Sequence, residues 1–298
     1  MACDDGWVVS AMIKVHFCRQ WDSPKDTLKA FAHMTPQSSC KWKNMEATLD
    51  PNEADWIVVI DKVKQSFPPD KTIYIGSHPP HISKHYCDYS SIDCAASLDV
   101  NNTLGFNEWW VQYSYDELVN MSPPKKTKDL IAIHSNKTSC GYHKMRREWL
   151  ERFCDQRPAN FELYGWIEPW GSLVKYYKGQ LGANTPETYW VGKEDIYCSA
   201  RYALELDAGP CYHYFSERFF DAMLLWCMPI YWGGYNVHDY LPEASFRYLK
   251  IEEDGADVID IAATDFREQN LDAMAEARNL LLNKYQIWPM TYDLIKTL

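Results

Sequence analysis

RYALELDAGPCYHYFSERFFDAMLLWCMPIYWGGYNVHDYLPEASF, residues 201–246, reads as strand, helix and strand in immediate succession. An apolar run from Tyr202 to Leu206 carries Glu205 and stops at Asp207; Gly209 and Pro210 then turn the chain. Ser216 stands before a helical run, SERFFDAMLLWC, that ends one residue short of Pro229. Pro229 to Trp232 is a second short strand, running into Gly233 and Gly234. A helix joining two apolar strands predicts a parallel sheet of the α/β class.

The helix start is the chemically informative point. Its first-turn N–H groups have no partner within the helix, and the helix dipole there favours an anion. Arg218 on that turn adds a permanent, fork-shaped cation suited to a pyrophosphate. Glu217 beside it cannot serve a phosphate but can accept hydrogen bonds from a ribose. A plainer reading stands beside this one: Ser216 caps the helix, Glu217 complements the dipole and Arg218 is solvated.

The same segment resembles the donor-binding signature of the family 10 glycosyltransferases, the α-1,3/1,4-fucosyltransferases. Its ordered blocks are YALELD, YFSER, MPIYWGG and HDYLPEASF. Leu206-Asp207 replaces an Asn-Ser pair of that signature, Ser216 a threonine and Arg218 a lysine. Earlier segments follow the family's order: Trp56 to Asp61, Thr72 to Gly76, IAIHSNKTSCGYHKMRREWLERF, and Leu163-Tyr164-Gly165.

The resemblance implies a GT-B architecture, two Rossmann-like α/β domains facing across a cleft. Residues 1–124 would form the acceptor-side domain and 125–298 the nucleotide-sugar domain, with a terminal helix crossing back onto the first. The Pro/Lys cluster from Ser122 to Lys128 suits a linker. The implied reaction is inverting, metal-independent transfer of a sugar, GDP-fucose being the family's donor, to a glycan hydroxyl. Exostosin-like transferases carry a loosely similar signature, so a UDP-sugar such as UDP-xylose is the second donor reading. A carbohydrate-binding protein without catalysis is the third.

Residue by residue, Arg146, Tyr214 and Arg218 take the places of donor-phosphate contacts, and Glu217 that of the ribose contact. Glu205 falls near the sugar. Plainer alternatives are a surface Arg146 among Lys144 and Arg147, and a Glu205 paired with Arg201. Where the family places a catalytic glutamate, this chain has Gly76-Ser-His-Pro-Pro-His81, with His78 at the glutamate's position. A neutral imidazole can take a hydroxyl proton near pH 7, so His78 is the candidate general base; a loop histidine without a role is the alternative. His81 and Asp99 stand in reserve. No Asp-x-Asp motif is present: Asp257 and Asp260 have the wrong spacing and Asp4-Asp5 lie at the terminus. Cations and a helix start, rather than a bound metal, are therefore expected to stabilise the leaving group.

Composition bounds these readings. The 298 residues include 46% hydrophobic and 15% aromatic side chains, enough for two ordered cores. A net charge of −11 without a basic block argues against nucleic acid or an anionic membrane as partner. No apolar stretch reaches the roughly 18 residues a membrane span needs. The acidic start MACDDGWVVS is unlike a secretory signal, and ten cysteines form no CxxC pair or zinc spacing. These features lead to an expected cytoplasmic, reducing location, with Cys18 and Cys227 as buried thiols and a disulfide such as Cys87–Cys94 as the alternative. That departs from the membrane-anchored animal and plant members of the family.

Overall fold

The computed structural model describes residues 11–19, 21–61, 63–76, 78–79, 94–98, 108–138, 140–181, 192–252 and 255–298. His81, Asp99 and Cys87 lie outside them. Two parallel sheets organise the chain. The first comprises β1 (Ile13–Arg19), β2 (Lys41–Trp42), β3 (Met45–Ala47), β4 (Trp56–Ile60), β5 (Thr72–Ile75) and β6 (Ala96–Leu98), in the order β2-β3-β1-β4-β5-β6. Only the β2–β3 pair is antiparallel. The second contains β7 (Lys128–Ser135), β8 (Phe161–Trp166), β9 (Tyr177–Gly179), β10 (Ala200–Leu206), β11 (Met228–Trp232) and β12 (Arg247–Tyr248), all parallel.

The second sheet runs β12-β11-β10-β7-β8-β9. This is the doubly wound order: the chain builds outward from β7 in one direction, then returns to β10 and builds outward in the other. The crevice at the carboxyl ends of β7 and β10 is where such folds bind ligands. The strands that form it are continuous apolar runs because helices cover both faces. Ile131, Ala203 and Ile230 on neighbouring strands are each no more than 1% exposed.

The short apolar runs DWIVVID, KTIYIG, DLIAIHSN and FELYGW all form strands. The helix after Ser216 is shorter than its apolar pattern, covering Glu217–Leu224, because Trp226 turns left-handed at φ 59°. A helix unread in the sequence, Tyr115–Asn120, is fixed by a capping box in which Ser114 and Glu117 satisfy each other's backbone N–H.

The final helix, Ile287–Ile295, does cross back onto the first half. Trp288 Nε1 donates to the Phe31 carbonyl at 2.9 Å, and its indole meets the Phe17 ring at 5.1 Å. Gln286 Nε2 reaches the Met34 carbonyl at 3.3 Å. Among the described residues no helix is long and apolar enough to cross a membrane. Cys18 and Cys227 are buried, and burial pushes both thiols up to about 12.

Candidate active site

A cavity of about 240 Å³ opens at the crevice between β7 and β10. His134, Ser135 and Lys137 reach it from the end of β7, and Ala208 from just beyond β10. Tyr214, Ser216, Glu217 and Arg218 line it at the start of the Glu217–Leu224 helix, and Arg146 enters from the helix Gly141–Asp155. His78 and Trp110 bring in the first half of the chain. Of the seven residues singled out in the sequence, Glu205 alone is not in the lining.

Arg146 is 2% exposed and is not a surface arginine. Its position on the inner stripe with Trp149, Leu150 and Phe153 turns it under β10, while Lys144 on the same helix is solvated. Arg146 Nη1 donates to the Leu206 carbonyl at 3.2 Å, and Nη2 to Ser135 Oγ at 3.4 Å. Burial, with the like charge of Arg218, pulls its pKa down to about 9. The two buried cations at this wall repel each other, and an anion placed against both would relieve that cost.

Arg218 is anchored by a hub of acceptors. Its Nη2 donates to the Leu206 carbonyl at 2.9 Å and to Asp207 Oδ1 at 3.3 Å. Burial opposes its charge, but Asp207, Glu217 and Glu205 outweigh that and hold its pKa above the ordinary value. Asp207 also accepts from the Ser216 N–H at 3.2 Å, from the Ser216 hydroxyl, and from Tyr231 Oη at 2.6 Å. Ser216 therefore does not cap its helix with its side chain, because Asp207 takes the hydroxyl. This leaves the first-turn N–H group of Arg218 without the side-chain partner that the plainer reading supplied.

His134, 5% exposed, presents a buried Nε2 with no hydrogen-bond partner among the described residues. Burial, then the cations Arg146, Arg218 and Arg147, hold its pKa well below the usual value, so the imidazole is neutral. Its strand neighbour Gly165 sits at φ +111°, and a Cβ there would stand 2.2 Å from the His134 carbonyl. Only glycine fits beside this histidine. Gly234 similarly lets its loop lie on Tyr214, whose carbonyl a Cβ would meet at 2.1 Å.

Across the cavity, His78 stands beyond the carboxyl end of β5 and Asp61 beyond that of β4. His78 Nδ1 lies 3.3 Å from Asp61 Oδ2, and the Asp61 carboxylate is fully buried. Nδ1–H donating to Asp61 fixes the tautomer and leaves Nε2 as the basic nitrogen. Asp61 itself occupies the left-handed region, at φ 59°.

Glu205 is buried beneath the lining. Tyr197 Oη donates to its Oε1 at 2.7 Å, and Arg218 Nε stands 3.9 Å from its Oε2. Burial raises its pKa to about 7, against the pull of Arg218. It does not pair with Arg201, which instead engages Asp129, Asp265 and Glu268. Asp61, Asp207, His134 and Lys137 were not singled out in the sequence. The signal for them was positional: each lies at or just past the carboxyl end of a central strand. Among the described residues no three or more His, Cys, Asp or Glu side chains converge as metal ligands.

No protein-family model matches the chain, and no curated protein does. Among solved structures, it is similar to the DNA-modifying enzyme β-glucosyltransferase, crystallised with and without uridine diphosphoglucose. That match has 14% identity, covers 96% of this chain and 100% of the other, and has a TM-score of 0.52. Another structure of the T4 phage β-glucosyltransferase aligns at 13% identity over 96% of this chain and all of that one, TM-score 0.49. An α1,3-fucosyltransferase aligns at 15% identity over 93% of this chain and 84% of that one, TM-score 0.48. The likeness establishes the fold: the two facing parallel-sheet domains are a GT-B architecture.

Proposed function

We propose that the chain is a glycosyltransferase that moves a sugar from a nucleotide-sugar donor to a hydroxyl of a glycan acceptor, with inversion and without a metal. One observation carries the reading. Arg146, Arg218, Lys137 and a helix start converge on one side of a cavity, and His78, oriented by Asp61, enters it from the other.

The donor's diphosphate would lie against the arginines and the first-turn N–H groups of the Glu217–Leu224 helix, its ribose within reach of Glu217 and Tyr214. The nucleotide would thus be held by the half that begins near residue 125. His78 Nε2 would accept the proton as the acceptor oxygen attacks the anomeric carbon, while the sugar–phosphate bond breaks and its electrons pass to the diphosphate. Base and leaving group on opposite walls suit a single in-line displacement, which inverts the anomeric centre. The arginines would stabilise the departing charge electrostatically, the task a metal performs elsewhere. Glu205, behind Arg218, would act by positioning that guanidinium.

GDP-fucose is the first donor to test, on the sequence resemblance. A UDP-sugar is the second, because a protein of similar fold was crystallised with uridine diphosphoglucose; UDP-xylose belongs to the same arm. Hydrolysis of GDP-fucose, UDP-glucose and UDP-xylose without acceptor separates them. Turnover of one donor supports the reading and names the nucleotide. Failure to bind or hydrolyse any of them returns the chain to the carbohydrate-binding alternative.

A further inference from the structure

Trp21 lies just beyond the carboxyl end of β1 and is 47% exposed. A single exposed aromatic needs no explanation, but Trp21 is not placed at random. Its ring stands 6.2 Å from that of His78, the planes at 87°. Its indole is held from one side by Arg19: the guanidinium lies over the ring at 5.8 Å, pairs with Asp22, and reaches Glu108 at 3.1 and 3.3 Å. Trp110 and Trp166 line the adjoining cavity, and Trp166 is itself 40% exposed. Trp21 thus stands beside His78, and two further indoles line the cavity that His78 reaches.

From this we infer that Trp21 is the platform on which the acceptor's sugar ring lies, an acceptor subsite for a pyranoside with a continuous C–H face. The inference rests on the glycosyltransferase reading and deepens it. A pyranose presents apolar C–H bonds on a face and hydroxyls around its edge. An indole left in water gains by covering that face, while the edge remains free for a polar partner. A ring stacked on Trp21 directs an edge hydroxyl at the neighbouring imidazole, where a general base must find it within hydrogen-bond reach. Nucleic acid is the poorer occupant, because the chain carries a net charge of −11.

Saturation-transfer NMR on the intact protein, with GDP or UDP present, tests the subsite. The probes are methyl β-galactoside, methyl β-glucoside, methyl β-xyloside and methyl α-mannoside, with deoxycytidine as contrast. At least one glycoside should receive saturation at its C–H protons. The signal should fall about fivefold or more in Trp21→Ala, recover largely in Trp21→Phe, and leave nucleotide affinity within about twofold of the parent. A parent that binds nucleotide yet transfers saturation to no glycoside, or to deoxycytidine alone, overturns this inference and spares the donor reading. A Trp21→Ala protein with an undiminished glycoside signal also overturns it. A parent that binds neither nucleotide overturns the donor reading and this inference together.

Discussion

Arg146 and Arg218, on different helices, donate to one and the same acceptor, the Leu206 carbonyl at the end of β10, at 3.2 and 2.9 Å. A single peptide oxygen thus holds two guanidinium groups on the floor of the cavity. A carbonyl dipole cannot neutralise two charges. Arg218 has carboxylates around it, whereas Arg146 carries its charge at a pKa depressed to about 9. An anion that spans both would balance the charge that the carbonyl dipole leaves.

Removing either cation should weaken nucleoside diphosphate binding. Arg146→Ala and Arg218→Ala are each expected to cost about 1.5–3 kcal/mol, roughly tenfold or more in Kd. Because the two share an acceptor and a ligand, the double variant should depart from additivity by more than about 0.5 kcal/mol. Calorimetric titration with GDP and UDP checks this. Single variants that bind within about twofold of the parent would place the diphosphate elsewhere.

The His78–Asp61 pair should be felt in turnover and not in nucleotide binding. A positioned base is worth about 10²–10⁴-fold in rate, so His78→Ala should lower kcat by that order. Asp61→Asn, which keeps the shape but loses the charge and offers an NH2 that can donate to Nδ1 and favour the other tautomer, should fall in the same direction. If His78→Ala retains more than about a third of the parent rate, the base lies elsewhere.

Glu205 makes a prediction about pH whose sign is fixed. Its folded-state pKa is raised to about 7, so between its ordinary value and 7 the folded protein holds a proton that the unfolded chain releases. Stability attached to Glu205 is therefore present at low pH and is lost as pH rises through that window, by about 1.4 kcal/mol per pH unit at most. Glu205→Gln removes this loss. Relative to the parent, the variant should be more stable at pH 8 than at pH 5, measured by urea unfolding. A stability difference that does not change with pH would show that Glu205 titrates normally.

Activity should survive chelation. With cations in place of a carboxylate-held ion, EDTA is expected to leave most of the rate of donor turnover. Complete loss with EDTA, restored by manganese, would establish a metal-dependent mechanism.

Much of this architecture was legible in the order of the residues. β4, β7, β8, β10 and β11 are short apolar runs bounded by polar or turn residues, which is how a strand buried on both faces must read. Ser216, Glu217 and Arg218 were found together because a helix start imposes local chemistry. The remainder depended on tertiary placement. Arg146 looks solvated among Lys144 and Arg147 until the fold turns that stripe inward. The Asp61–His78 pair joins two strand ends that only the β4–β5 register brings side by side. Ser216 has the right identity for a cap, yet Asp207 captures its hydroxyl from another loop. The helix Tyr115–Asn120 was announced locally by Ser114 and Glu117, and went unread because few periodic cues surround it.

The indole of Trp288 sets the order of events during synthesis. The Phe31 carbonyl it satisfies belongs to a segment translated 257 residues earlier. The half that leaves the ribosome first therefore emerges with a hole in its packing where Trp288 will sit, and with the Phe17 and Phe31 side of β1 uncovered. It cannot close there until Trp288 has been made. The second sheet, whose strands are contiguous from Lys128 to Tyr248, does not wait on Trp288 and is free to assemble before the first is sealed.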